Sequence, residues 1–120
     1  MEPAIPFSVD VTRLDGALVV APAGEIDIAT APLVREALED AGREASVVVM
    51  DFRQVDFMDT SGLQLLIQER RHAEESGRGF AVVRGPSRVQ RLLDIAGLTP
   101  MLTLVDTPEE ALGGAGSASG

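Results

Sequence analysis

Phe7, Val9 and Val11 alternate with polar neighbours, Asp15-Gly16 follows, and Leu18 to Ala21 form an apolar run. Alternation of period two, then a two-residue turn, then a second apolar run predicts a β-hairpin. Pro22 and Gly24 read as the close of its second strand. Thr30 has the chemistry of an N-cap, and Leu33, Val34, Ala37, Leu38 and Ala41 recur at helical spacing up to Gly42, which ends that helix. Val47 to Met50 is an unbroken apolar run between polar flanks, the pattern of a central strand covered on both faces. A second helix opens near Asp59 to Gly62, turning Leu63, Leu66, Ile67 and Ala73 inward and Glu69, Arg70, Glu74 and Glu75 to water, and Gly77 and Gly79 terminate it. Phe80 to Val83 is a short strand. Gly85-Pro86-Ser87 starts a third helix with Val89, Leu92, Leu93 and Ala96 inward and Gly97 at its end. Met101 to Val105 is the last strand, and Thr107-Pro108-Glu109-Glu110 has the form of a capping box for a short helix through Leu112.

This order predicts one α/β domain over residues 1–112. Its sheet is mixed but mostly parallel, of about five strands, with an N-terminal antiparallel hairpin, four helices and right-handed crossovers. Residues 113–120 are all Gly, Ala or Ser and are expected to be a disordered tail. A chain of 120 residues has room for one core. With 45% hydrophobic residues, no Trp or Tyr and four Phe, that core must be aliphatic.

Charge and composition narrow the function. The absence of cysteine excludes a disulfide framework and a thiol nucleophile, and a single histidine, His72, argues against a transition-metal site. Formal net charge is −9, so nucleic acid is an unsuitable partner. All ten basic residues are Arg, which removes Lys-dependent chemistry, including a phosphate-loop lysine. There is no dinucleotide fingerprint or metal-ligand spacing, and His72 lies about three helical turns from Ser61, too far for a Ser-His pair. The expectation is a binding protein rather than an enzyme, with no cofactor of its own. No apolar run is long enough for a membrane span and the N-terminus lacks a signal-peptide pattern, so no membrane partner and a cytoplasmic location are expected.

The most specific local feature is Phe57-Met58-Asp59-Thr60-Ser61-Gly62-Leu63, at a turn into the second helix. Taken alone, it reads as an Asp59 or Thr60 N-cap with Gly62 easing close packing. In a parallel sheet, however, the segment from Gly24 to Pro32 lies at the same edge, so two polar turns converge. With the element order and Gly85-Pro86-Ser87, these segments resemble the STAS domain (sulfate transporter and anti-sigma-factor antagonist), over roughly Phe7 to Leu112 and in its stand-alone antagonist branch.

The resemblance implies that Ser61, the second hydroxyl residue of the motif, is a phosphate acceptor, with Thr60 standing where Ser is common in the family. It implies that the unmodified chain binds a serine-kinase anti-sigma factor and frees a sigma factor. The partner's own ATP serves to phosphorylate Ser61, and a serine phosphatase reverses the modification. Glu25, Asp27, Thr30, Asp59, Thr60 and Gly62 surround that position as partner-binding candidates, with local capping the competing role for Asp27 and Asp59. The alternative within the same fold is an adaptor subunit for the ATPase of a lipid or ion transport complex. A phospho-receiver built on Asp51 is disfavoured, because it needs an acidic cluster and a lysine that the chain lacks.

Overall fold

The computed structural model describes residues 6–41 and 44–112. The predicted hairpin is β1 (Ser8–Leu14) against β2 (Ala17–Ile26), joined by Asp15 and Gly16 at φ 48° and 85°. Positive φ at both turn positions gives the twist that matches a right-handed strand pair. Helix α1 (Ala31–Ala41) and strand β3 (Val47–Asp51) follow as expected. The Gly42 helix stop and the 113–120 tail lie outside the described residues.

Beyond β3 the chain departs from the expected order. A strand β4 (Val55–Met58) precedes α2 (Thr60–Ser76), so the described residues hold six strands rather than about five. The remaining elements are β5 (Gly79–Val83), α3 (Ser87–Ile95), a single 3₁₀ turn at Thr99–Met101, β6 (Leu104–Val105) and a short helix α4 over 108–112. The main sheet runs β1-β2-β3-β5-β6, parallel after the hairpin, while β4 pairs with the far end of β2.

Strand β2 serves both neighbours in turn. Ala17 to Val20 match Val47 to Met50, and Gly24 to Ile26 match β4, with a register irregularity between Gly24 and Glu25. Pro22 and Gly24 therefore do not close the strand. The Gly24 amide donates to the Gln54 carbonyl, and amide direction repeats every second residue, so the nitrogen of Pro22 faces the gap between β3 and β4, where no ladder bond is lost. Gly24, at φ 106°, supplies a backbone that other residues avoid.

Two apolar layers flank the sheet. Leu18, Val20, Val48, Met50 and Val82 pack with Val34 and Leu38 of α1, Leu65 and Leu66 of α2, and Val89 and Leu93 of α3. Ala17, Val19, Val49, Ala81, Val83 and Val105 form the opposite layer with Ala111 of α4. Helix α2 is rotated from the sequence reading, since Gly62, Leu65, Leu66, Glu69 and Ala73 are its buried stripe while Ile67 is exposed. Leu33 and Ala96 are likewise exposed rather than inward. Gly77, in the left-handed conformation, caps α2 as expected, whereas Gly79 begins β5.

Glu69 is thus a carboxyl in a core position, 6% exposed, with His72 Nδ1 at 4.0 Å from its Oε2. Burial pushes its pKa above the ordinary range; His72, Arg78 and Arg35 oppose the rise and Glu39 adds to it. A carboxyl raised in this way stabilises the fold fully below its unfolded pKa of about 4.3, and that contribution is lost as pH rises through the folded value. Glu69→Gln is therefore expected to raise the melting temperature near pH 7 and to lose that advantage toward about pH 4. Melting curves across this range check it, and an advantage that grows on acidification would contradict burial as the cause.

Candidate functional site

Strand β4 delivers Asp59 to the start of α2, where the Asp59 amide donates to the Ile26 carbonyl at the end of β2, 3.1 Å away. The Asp59 carboxylate accepts from the Ser61 amide at 2.8 Å, so Asp59 is the N-cap and Thr60 and Ser61 are the first two helical residues. Thr60 is exposed and Ser61 half-buried. Among the described residues no side chain hydrogen-bonds the Ser61 hydroxyl, leaving its oxygen available for acyl or phosphoryl chemistry by an outside agent.

Gly62 is not a surface residue. It is buried, and a Cβ there would lie 2.1 Å from Met58 Cγ and 2.4 Å from Met58 Sδ. Glycine lets the helix start sit directly on Met58, which is a packing role rather than the partner contact expected from the sequence.

The second turn departs from the end of β2 at the same point. Asp27 Oδ1 accepts from the amides of Ala29 at 2.9 Å and Thr30 at 3.0 Å, and the Asp27 carbonyl accepts from the Ala31 amide at 2.8 Å. The Thr30 hydroxyl donates to the Glu25 carbonyl at 2.7 Å and accepts from the Asp27 amide at 2.9 Å. Asp27, not Thr30, therefore satisfies the first amides of this turn, and Thr30 ties the turn back to β2. Both residues are half-buried, whereas Glu25 is exposed next to Phe57 across the β2–β4 pairing.

The structure thus brings Glu25, Asp27, Thr30, Asp59, Thr60 and Ser61 to one edge, joined through the Ile26–Asp59 hydrogen bond. Asp51 and His72 add no chemistry to this edge. Asp51 is clamped by Arg53, with Nη2 to Oδ2 at 2.7 Å and Nε to Oδ1 at 3.0 Å, so it is no open acceptor. His72 lies 11 residues along α2 from Ser61, a rise of about 16 Å. Among the described residues no group of three or more His, Cys, Asp or Glu could hold a metal ion, and no helix is long and apolar enough to cross a membrane. The sequence reading missed Ile28, which sits within the Asp27–Thr30 turn and is 82% exposed. The signal was an isoleucine placed between an Asx-turn aspartate and the threonine that closes the turn.

Comparison with known proteins gives concordant matches. The STAS domain model matches residues 8–111. An anti-sigma-F factor antagonist of Mycobacterium tuberculosis, RsfB, is 32% identical over 112 residues, 91% of each chain. The crystal structure of an anti-sigma factor antagonist from Mycobacterium paratuberculosis superposes with a TM-score of 0.78 at 28% identity, covering 93% of this chain and 97% of the other. The fold is also shared with the Bacillus cell fate determinant SpoIIAA in its phosphorylated form, at a TM-score of 0.68 and 20% identity over 92% of this chain and 99% of that one.

Proposed function

The chain belongs to the STAS domain family, and from that premise we propose that it is an anti-sigma-factor antagonist switched at Ser61. In its unmodified form it binds an anti-sigma factor and so releases a sigma factor. The anti-sigma factor is a serine kinase that transfers the γ-phosphoryl group of its own ATP to the Ser61 oxygen, and a serine phosphatase restores the hydroxyl. The antagonist contributes no catalytic group to either step; it presents an acceptor.

The observation that carries this reading is the geometry at the start of α2. The amide of Ser61 is tied to Asp59 while its hydroxyl is left without a side-chain partner, so the acceptor is positioned by its own backbone and the oxygen needs no bond broken before attack. The likeness to named antagonists over nearly the whole chain favours this role over the transport-adaptor alternative.

Incubation with ATP and each serine-kinase anti-sigma factor of the same cell, followed by peptide mass spectrometry, tests the assignment. One phosphate on Ser61, absent in Ser61→Ala, is the expected result. Modification at Thr60 alone would move the switch to the neighbouring residue, and no modification by any of the kinases would overturn the reading.

A further inference from the structure

Seven large hydrophobic residues are exposed among the described residues, and Ile28 at 82%, Leu33 at 50% and Phe57 at 45% belong to the segments that frame Ser61. We propose that Ile28 is the apolar anchor of the partner interface and occupies an apolar pocket on the anti-sigma factor. The inference rests on the antagonist reading and deepens it, because it moves the source of binding energy from polar residues to apolar ones.

A single exposed hydrophobic residue is ordinary on a protein surface. Ile28 differs in its placement and its rigidity. Its turn leaves β2 one residue after Ile26, whose carbonyl holds the Asp59 amide, so it stands beside the Ser61 turn. Phe57 faces out next to Glu25 on the adjoining strand, and Leu33 lies in the first turn of α1. The residues on either side of Ile28 are held by the hydrogen bonds of Asp27 and Thr30, which keep the turn in one shape before any partner arrives. Burying a residue whose backbone is already ordered avoids the loop-ordering part of the cost of association.

The same hydrogen bonds limit what the polar candidates can offer. Asp27 Oδ1 already accepts two amides, and the Thr30 hydroxyl both donates and accepts within the turn. They act as scaffold. What is left for a partner beside the Ser61 turn is the exposed Ile28 side chain, with Glu25 and Thr60 exposed on the neighbouring segments, and a protein–protein contact commonly sets a buried apolar anchor within a polar rim.

The test is the affinity of wild type, Ile28→Ser and Ile28→Val for the purified cognate anti-sigma factor, by calorimetry, alongside melting curves. Ile28→Ser is expected to weaken binding about tenfold or more while leaving the melting temperature unchanged, and Ile28→Val to recover most of the affinity. If wild type binds but Ile28→Ser binds within about twofold of it, the anchor is wrong and the antagonist reading stands. A valine variant as weak as the serine variant also overturns the anchor. If wild type binds none of the cell's anti-sigma factors, the antagonist reading falls, and the anchor with it.

Discussion

Phosphate on Ser61 is expected to lower the affinity for the anti-sigma factor by roughly ten- to several-thousand-fold. The range follows from Coulomb's law. The modification adds about −1.5 to −2 charges, and a partner carboxylate about 7 Å away would then be repelled by roughly 1 to 5 kcal/mol as the effective dielectric falls from about 80 to about 20. Burying the phosphate's oxygens against an apolar surface acts in the same direction. Ser61→Asp, with a single charge on a shorter arm, is expected to lose less, and Ser61→Ala to bind as wild type does. The charge argument also requires that the loss shrink at high salt, because the screening length falls from about 8 Å at 0.15 M to about 3 Å at 1 M. Calorimetry on phosphorylated and unmodified protein at two salt concentrations decides the matter. Equal affinities would sink the switch, and a large loss indifferent to salt would assign it to steric exclusion.

The modified domain itself should stay folded, although the local balance is closer than the helix N-terminus alone suggests. A helix start favours an anion by about 0.3–1 kcal/mol. Here the Ser61 amide is already taken by the Asp59 carboxylate, so the phosphate finds that donor occupied and a like charge two residues away. These effects offset each other, and the consequence of modification falls on the partner.

Much of this site was legible in the sequence because it depends on local chemistry. An aspartate just before the first residue of a helix is a favoured N-cap whatever the fold, and Asp59 is one. The features that were misread depend on tertiary packing. Strand β4 is four residues long and follows β3 after a three-residue turn, so it has no composition of its own and exists because β2 outlasts β3 and leaves a free edge. Pro22 and Gly24 read as strand breakers, yet they sit where β2 changes partners and the ladder has a gap. Glu69 looked solvent-facing by residue type, whereas the positions 62, 65, 66, 69 and 73 form one stripe whose phase is set by the close packing of Gly62 on Met58. Residue type outweighed periodicity in the reading, and periodicity was the better guide.

That dependence on packing places the most damaging small substitution far from Ser61 in sequence, at Gly85. A Cβ at this position would lie 2.6 Å from the Phe52 carbonyl oxygen and 3.1 Å from Phe52 Cβ. Phe52 cannot move aside easily. Its side chain is fully buried, its amide donates to the Val83 carbonyl at 3.1 Å, and the clashing oxygen accepts from the Val55 amide at 3.0 Å. Gly85 is held from its own side, because its amide donates to Gln90 Oε1 at 2.9 Å. Gly85→Ala is therefore expected to cost about 2–3 kcal/mol, in the upper part of the overpacking range, and to lower the melting temperature by roughly 10 °C. Gly62→Ala makes the instructive contrast. Its nominal clash is worse, but the two closest atoms are Met58 Cγ and Sδ of an unbranched thioether that can rotate away, and the third, Ile26 Cγ2 at 3.3 Å, needs to give only a few tenths of an ångström, so its cost should be the smaller of the two. Because the Phe52–Val55 bond opens β4 and β4 carries Asp59, Gly85→Ala should also slow phosphorylation of Ser61 at temperatures where the domain remains folded. Melting curves and kinase assays on both variants test the ranking. A Gly85→Ala protein as stable as wild type would mean that the turn between β3 and β4 is free to shift, and the rigid support assigned to the Ser61 site would be lost with it.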